Sequence, residues 1–273
     1  MPESSLPPAE PAAAWASDLR PIAGKGMWVW LWNQTERGNA DAIVNRAVAS
    51  GLGQLWVRVA DSQSGFYGAG ELSALLGKAH AAGLRVIAWG FPYLYDPMGD
   101  AQWTAQVFDW RSPSGEGVDG YSADIERSTE GVALTERRAA VYLGAVRKAA
   151  GNRLVVATVY PPLDTYWKGD YPYAAMARYI DAFAPMIYWE CTDPAVDAVQ
   201  ALQRLGSLRP VHLIGQAFNM AADGGRAAWP SAMEIERFMD AGRRAGAVGA
   251  SFWVWQTASL DEWRAVQSYR WAS

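Results

Sequence analysis

The chain has 273 residues but only one cysteine, Cys191, and two histidines, His80 and His212. A single cysteine excludes an internal disulfide. So few thiols and imidazoles leave no cluster with zinc-ligand spacing, and a histidine-based triad is not expected. No metal and no organic cofactor is implied. No apolar run is long enough to span a membrane. Lys and Arg number 24 against 28 Asp and Glu, a net charge of −4. There is no basic patch with interleaved aromatics, so nucleic acid is not an expected partner. A glycine-rich phosphate loop is also missing: the first apolar run leads into Asn33-Gln34-Thr35-Glu36-Arg37-Gly38, which argues against an open dinucleotide-binding sheet.

What is abundant is aromatic surface, with 15 Trp and 12 Tyr. One reading is a large core. The other is a set of platforms for sugar rings, whose axial C–H faces stack on the negative π-face of an indole. Residues 1–20 carry Pro2, Pro7, Pro8 and Pro11 among alanines and read as a flexible tail or linker. They lack a basic start followed by an apolar core, so no signal peptide is recognisable.

Residues 21–273 read as one domain in which strand and helix alternate. Strand-like runs are 27–32, 54–60, 85–91, 120–125, 154–160, 182–189, 211–218 and 250–255. Helical runs are 40–50, 69–82, 101–110, 135–150, 173–179, 195–205, 232–245 and 260–269. Ser231 with Glu234 and Ser259 with Glu262 have capping-box spacing, and Asp193-Pro194 has the form of an N-cap followed by a first-turn proline. Gly51, Gly83, Gly151, Gly206 and Gly246 follow helical runs, where a closing residue is wanted. Eight such units in a chain of this length predict a single (β/α)8 barrel, a fold of ~250 residues whose active site lies at the carboxyl ends of the strands.

Those ends are rich in groups suited to glycans: Trp30 and Trp32; Arg58 and Asp61; Trp89; Asp124 and Glu126; Tyr160; Tyr188 and Glu190; Gln216; Trp253 and Trp255. The most telling segment is Val118-Asp119-Gly120-Tyr121-Ser122-Ala123-Asp124-Ile125-Glu126. Side chains alternate along a strand, so Ser122, Asp124 and Glu126 share a face. Glycosidic cleavage needs a protonated carboxyl for the leaving oxygen and a second group for the anomeric centre. Glu126 fits the acid, and the like charge of Asp124 would raise its pKa. The alternative is a structural rim of salt bridges to Arg58 or Arg127. Glu190 is the second carboxylate candidate, or else a solvated loop residue before the helix at Pro194. Asp61, in Asp61-Ser62-Gln63-Ser64-Gly65, also fits an ordinary turn, and Arg58 a partner for a barrel carboxylate.

Asp119-Gly120-Tyr121-Ser122-Ala123-Asp124-Ile125-Glu126 resembles the fourth-strand pattern Asp-Gly-x-Asp-x-Asp-x-Glu of glycoside hydrolase family 18, the chitinase-like barrels. The resemblance implies that Glu126 is the general acid, and that Asp124 orients a substrate N-acetyl group serving as internal nucleophile. Tyr179-Ile180-Asp181-Ala182-Phe183-Ala184-Pro185-Met186-Ile187-Tyr188 is similar to that family's Met-x-Tyr region, with Tyr188 on the N-acetyl group. Trp253 or Trp255 would floor the cleaved sugar. Two family positions differ: Ser122 replaces the middle Asp, and Trp189 stands where an Asp follows the tyrosine. Asp124-Ile125-Glu126 with Trp255-Gln256 also resembles family 25 muramidases, although Asn33 replaces their first-strand Asp. The sixth and seventh strands resemble a group of uncharacterised bacterial glycosidase-like barrels.

The expectation is a glycoside hydrolase on a polysaccharide or oligosaccharide, an amino-sugar polymer of peptidoglycan or chitin type. That substrate class favours a secreted or cell-surface setting. The alternatives are a catalytically silent glycan-binding barrel and a cell-surface anchoring module tethered by the Pro/Ala segment.

Overall fold

The computed structural model describes residues 1–8, 18–163, 171–189, 191–223 and 225–271. Eight parallel strands close into a barrel: β1 (Gly24–Val29), β2 (Gln54–Asp61), β4 (Arg85–Phe91), β5 (Gly120–Ile125), β6 (Leu154–Val159), β7 (Ala182–Ile187), β8 (His212–Gln216) and β9 (Gly249–Trp253). Closure is made by β1, which pairs with β2 on one side and β9 on the other. The ninth strand, β3 (Gly65–Phe66), is a two-residue antiparallel arm on the end of β2. Around the barrel run α1 (Ala40–Ala49), α2 (Ala69–Ala81), α3 (Pro97–Asp109), α4 (Glu136–Ala150), α5 (Tyr173–Met176), α6 (Pro194–Leu205), α7 (Ala232–Arg244) and α8 (Leu260–Ser268). The expected (β/α)8 architecture is the observed one.

Local chemistry sets the helix starts. Ser231 and Ser259 form full capping boxes with Glu234 and Glu262, and Asp193 accepts from the amides of Ala195 and Val196. Helix α3 starts four residues earlier than its periodicity suggests, because Asp96 caps it and Pro97 occupies the first turn. Gly83 and Gly246 close their helices with φ of +77° and +90°. Gly206 departs from that expectation, holding a helical φ of −62°.

The alternation of β1, β2 and β4 turns Trp28, Trp56 and Trp89 into the barrel. Trp28 stacks on Trp56 at 4.8 Å and meets Trp89 edge-on at 5.4 Å. Three indoles need small partners across the bore. Strand β7, four strands round the ring from β2, supplies Ala182 and Ala184. Gly26 makes room on β1, where a Cβ would stand 2.9 Å from both Gln54 Cγ and Trp56 Nε1. Below the indoles Ile22 is fully buried and plugs the amino end. His212 Nδ1 donates to Ile22 O (2.8 Å), Ser251 Oγ donates to His212 Nε2 (2.9 Å), and Trp28 Nε1 donates to Ser251 Oγ (2.8 Å). That chain suits a neutral imidazole, and burial lowers the pKa of His212 to about 3. His212 is thus a core residue.

Of the Pro/Ala-rich start, expected as a flexible tail or linker, residues 1–8 lie against the barrel's flank. Leu6 is buried. Thr135 Oγ1 donates to Glu3 (2.8 Å), Arg137 donates to Leu6 O and Arg138 to Met1 O.

Candidate functional site

A cleft of about 630 Å³ opens at the carboxyl end of the barrel, walled by Trp30, Glu126, Glu130, Tyr160, Tyr188 and Trp253, with Met186, Phe218 and Met220 among the apolar lining. It continues inward to a chamber of about 130 Å³ that reaches Asp124, Thr158, Trp28 and Ile214 and shares Glu126, Met186, Tyr188 and Trp253. No Lys, Arg or His lines either space among the described residues.

Alternation on β5 builds the acidic column at the centre. Ser122 lies deepest and is hydrogen-bonded to Thr158 Oγ1 on β6 at 2.8 Å. Asp124 comes next, buried, with Oδ1 lacking a hydrogen-bond partner. Glu126 follows at the cleft floor. The rim of salt bridges to Arg58 does not form: Arg58 turns to Asp61 at 3.2 Å and lies over the Trp89 ring at 5.5 Å. Burial pushes the Asp124 carboxyl up to about 7, against the opposing field of Arg58. Burial, the charge of Asp124 and that of Glu130 hold Glu126 well above the ordinary carboxylate range, while Arg127 acts the other way. A carboxyl kept protonated near neutrality can donate a proton.

The aromatic walls come from strand ends. Trp253, last residue of β9, leans on Trp28 (5.8 Å), Trp89 (5.4 Å) and Trp30 (5.7 Å). Trp30 is 39% exposed, the exposed half of that pair. The Trp253–Val254 peptide is cis. Tyr188 meets Phe218 edge-on at 5.2 Å. The Tyr160 hydroxyl donates to Glu130 Oε1 at 3.2 Å, and Arg127 covers its ring at 4.3 Å.

Of the residues expected at the mouth, Asp124, Glu126, Tyr160, Tyr188, Trp30 and Trp253 come together. Glu190 lies outside the described residues. The others are displaced from the cleft for identifiable reasons. Trp32 sits on a short 3-10 turn, half-buried against the outer core. Trp89 is buried in the bore with its indole N–H on Val29 O (3.3 Å), so it supports Trp253. Trp255 points outward, bonded to Glu36 (3.2 Å) and packed on Trp263 at 4.6 Å. Asp61 accepts from the amides of Gln63 and Ser64 at 3.0 and 2.7 Å and holds the turn that its sequence also suggested. Arg58 acts on the cleft only through its field at Asp124. Gln216 is buried and clasps two loops, accepting from Trp189 N (3.1 Å) and donating to Phe218 O (2.9 Å). Glu130 is the residue that sequence reading missed. It stands on the irregular turn after β5, where no periodicity announces a direction.

No family model matches the sequence, and no curated protein matches it. Solved structures do. An endo-1,4-beta-mannanase from Rhizomucor miehei superposes with a TM-score of 0.64 at 11% identity, over 87% of each chain. A class V chitinase from Pseudomonas fluorescens Pf-5 gives 0.63 at 13%, over 90% of this chain and 99% of that one. The Bacillus megaterium QM B1551 spore cortex-lytic enzyme SleL gives 0.61 at 12%, over 91% and 74%. At such identities the likeness is one of fold: the chain shares the (β/α)8 barrel of glycoside hydrolases, chitinases among them.

Proposed function

We propose that the protein is a glycoside hydrolase that cleaves a polysaccharide by general acid catalysis, with Glu126 as the acid. One observation carries the reading: a half-buried carboxyl, held protonated by burial and by a buried acidic neighbour, stands at the floor of an aromatic cleft in the barrel mouth. A sugar ring stacked against the aromatic wall that Trp30 and Trp253 form together presents its glycosidic oxygen to that carboxyl. Cleavage then moves the proton from Glu126 to the leaving oxygen as the C1–O bond breaks. Asp124 and Tyr188 face the inner chamber, whose remaining walls are mostly apolar. An acetamido group suits it: its N–H would satisfy the orphan Asp124 Oδ1, its carbonyl would accept from Tyr188, and its methyl would meet Met186 and Ile214. That favours an amino-sugar glycan of chitin or peptidoglycan type, and the acetamido oxygen as the group that traps C1.

The test is release of reducing ends from chitin, peptidoglycan and mannan by the wild type and by Glu126→Gln. The variant should fold, retain glycan binding and lose turnover. Turnover equal to wild type would remove the assignment.

A second reading, a catalytically silent glycan-binding barrel, is favoured by two positions. Ser122 is committed to Thr158, so no carboxylate lies beneath Asp124. Trp189 is buried against Phe238 at 5.1 Å where a carboxylate would otherwise stand. Binding of the panel without any reducing-end release would establish that reading.

A further inference from the structure

A second depression, of about 530 Å³, opens on the same face, lined by Gln63, Tyr93, Tyr95, Asp96, Trp103 and Gly131 among others. Its walls are the segments that follow β2, β4 and β5. Only one turn divides it from the cleft: Glu130 lines one space and the next residue, Gly131, lines the other. The loop that forms its far wall is held in a costly shape. Leu94, fully buried, takes a left-handed φ of +59°, which persists only where surrounding contacts over-determine it. Here they do. Buried Asp100 accepts from Leu94 N (2.9 Å) and Ser62 Oγ (2.6 Å), Ser62 Oγ accepts from Tyr93 N (2.7 Å), and Arg138 donates to Leu94 O (2.6 Å).

The pinned turn displays Tyr95, 61% exposed, beside two polar side chains. Gln63 makes no side-chain hydrogen bond to another described residue, and Asp96 Oδ1 caps Gly99 N at 3.2 Å. An exposed aromatic ring flanked by a planar amide and a carboxylate matches a sugar ring, which offers C–H to a π-face and hydroxyls to the edge groups. We propose that this depression is a distal subsite, holding sugar units of the same glycan beyond those at Glu126, so that the groove reads a chain and not only its end. The proposal rests on the hydrolase reading for the identity of the glycan.

The experiment compares wild type with Tyr95→Ala, a substitution at an exposed position, on N-acetylglucosamine oligomers of two to six units. Wild-type kcat/KM should rise with length. The variant should lose about tenfold on the six-unit chain, the scale of one aromatic contact, and nothing on the shortest chain cleaved. An equal effect at every length, or none, overturns the subsite. Calorimetric binding of the six-unit and two-unit oligomers separates this from failure of the hydrolase reading. Preferential binding of the longer one, lost in Tyr95→Ala, supports the subsite even if nothing is cleaved. Equal binding of both lengths, or no binding of either, overturns it.

Discussion

Asp124→Asn should make the protein more stable at pH 8 and not at pH 4. In the folded chain burial raises the Asp124 carboxyl from 3.8 to about 7. A carboxyl with a raised folded pKa contributes fully below its unfolded value, and that contribution is lost as pH rises through the folded value. The loss therefore develops between pH 3.8 and about 7 and is complete at pH 8. Each pH unit of displacement corresponds to about 1.4 kcal/mol, so the ceiling is about 4 kcal/mol. Asparagine carries no ionisation cost but leaves a buried amide underbonded, a penalty of about 1–3 kcal/mol. The net expectation is a gain of about 1–3 kcal/mol at pH 8 and a loss of about 1–3 kcal/mol at pH 4, where only the amide penalty remains. Urea unfolding of both proteins at the two pH values measures it. The difference between them isolates Asp124 from other carboxyls that burial raises, such as Asp100 and Asp197. A stability difference that does not change with pH would refute the reasoning. A stabilising substitution that also abolishes turnover is what a site built at the expense of stability should show.

Glu130→Gln removes one of the charges that raise Glu126, so the alkaline limb of the kcat/KM profile should move to lower pH; an unmoved limb would show that Glu130 acts only on Tyr160. Gly26→Ala forces a methyl to 2.9 Å from Gln54 and Trp56, an overpacking cost of about 1–3 kcal/mol, read as a lower urea midpoint. Asp181→Ala removes the carboxylate from Arg147, whose Nη2 lies 2.6 Å from Asp181 Oδ2 with both side chains almost wholly buried, and leaves the guanidinium only neutral carbonyl partners such as Tyr179 O. Loss of about 3–5 kcal/mol is expected, and thermal unfolding unchanged within a degree would contradict it.

The barrel was legible because its signals are local and repeated. Period-two apolar runs alternate with capped helices, and both capping boxes formed as spelled. Alternation also brings Asp124 to the inner chamber, and Glu126, one residue past the end of β5, keeps the same face. Farther from the strand ends it failed. Trp32 and Trp255 lie three and two residues past the ends of β1 at Val29 and β9 at Trp253, where the turn and not parity sets direction. Arg58, Trp89 and Gln216 do face inward on parity, yet neighbours claim them: Asp61, Val29 O and the loop amide of Trp189. Sequence patterns carry face but not depth. Glu130 shows the reverse, a loop residue brought to the cleft by a turn with no periodic signature.

The tryptophans tie fold to site more closely than a choice between core and platform allows. Among the described indoles, only Trp30 and Trp253 line the cleft. Trp28, Trp56 and Trp89 fill the bore beneath, and Trp253 rests on two of them. A platform set on mobile side chains would lose orientation with every rotamer change. This one stands on buried indoles packed on one another, with Gly26, Ala182 and Ala184 as the small residues beside them. Enlarging a small residue deep in the bore should therefore reach the cleft. Ala184→Val, two residues before Met186 on the same face of β7, should perturb tryptophan fluorescence and raise KM for the glycan before it affects helix content by circular dichroism. The order of those effects follows from packing: the bore's indoles have nowhere to move except toward the open end, where Trp253 closes the column.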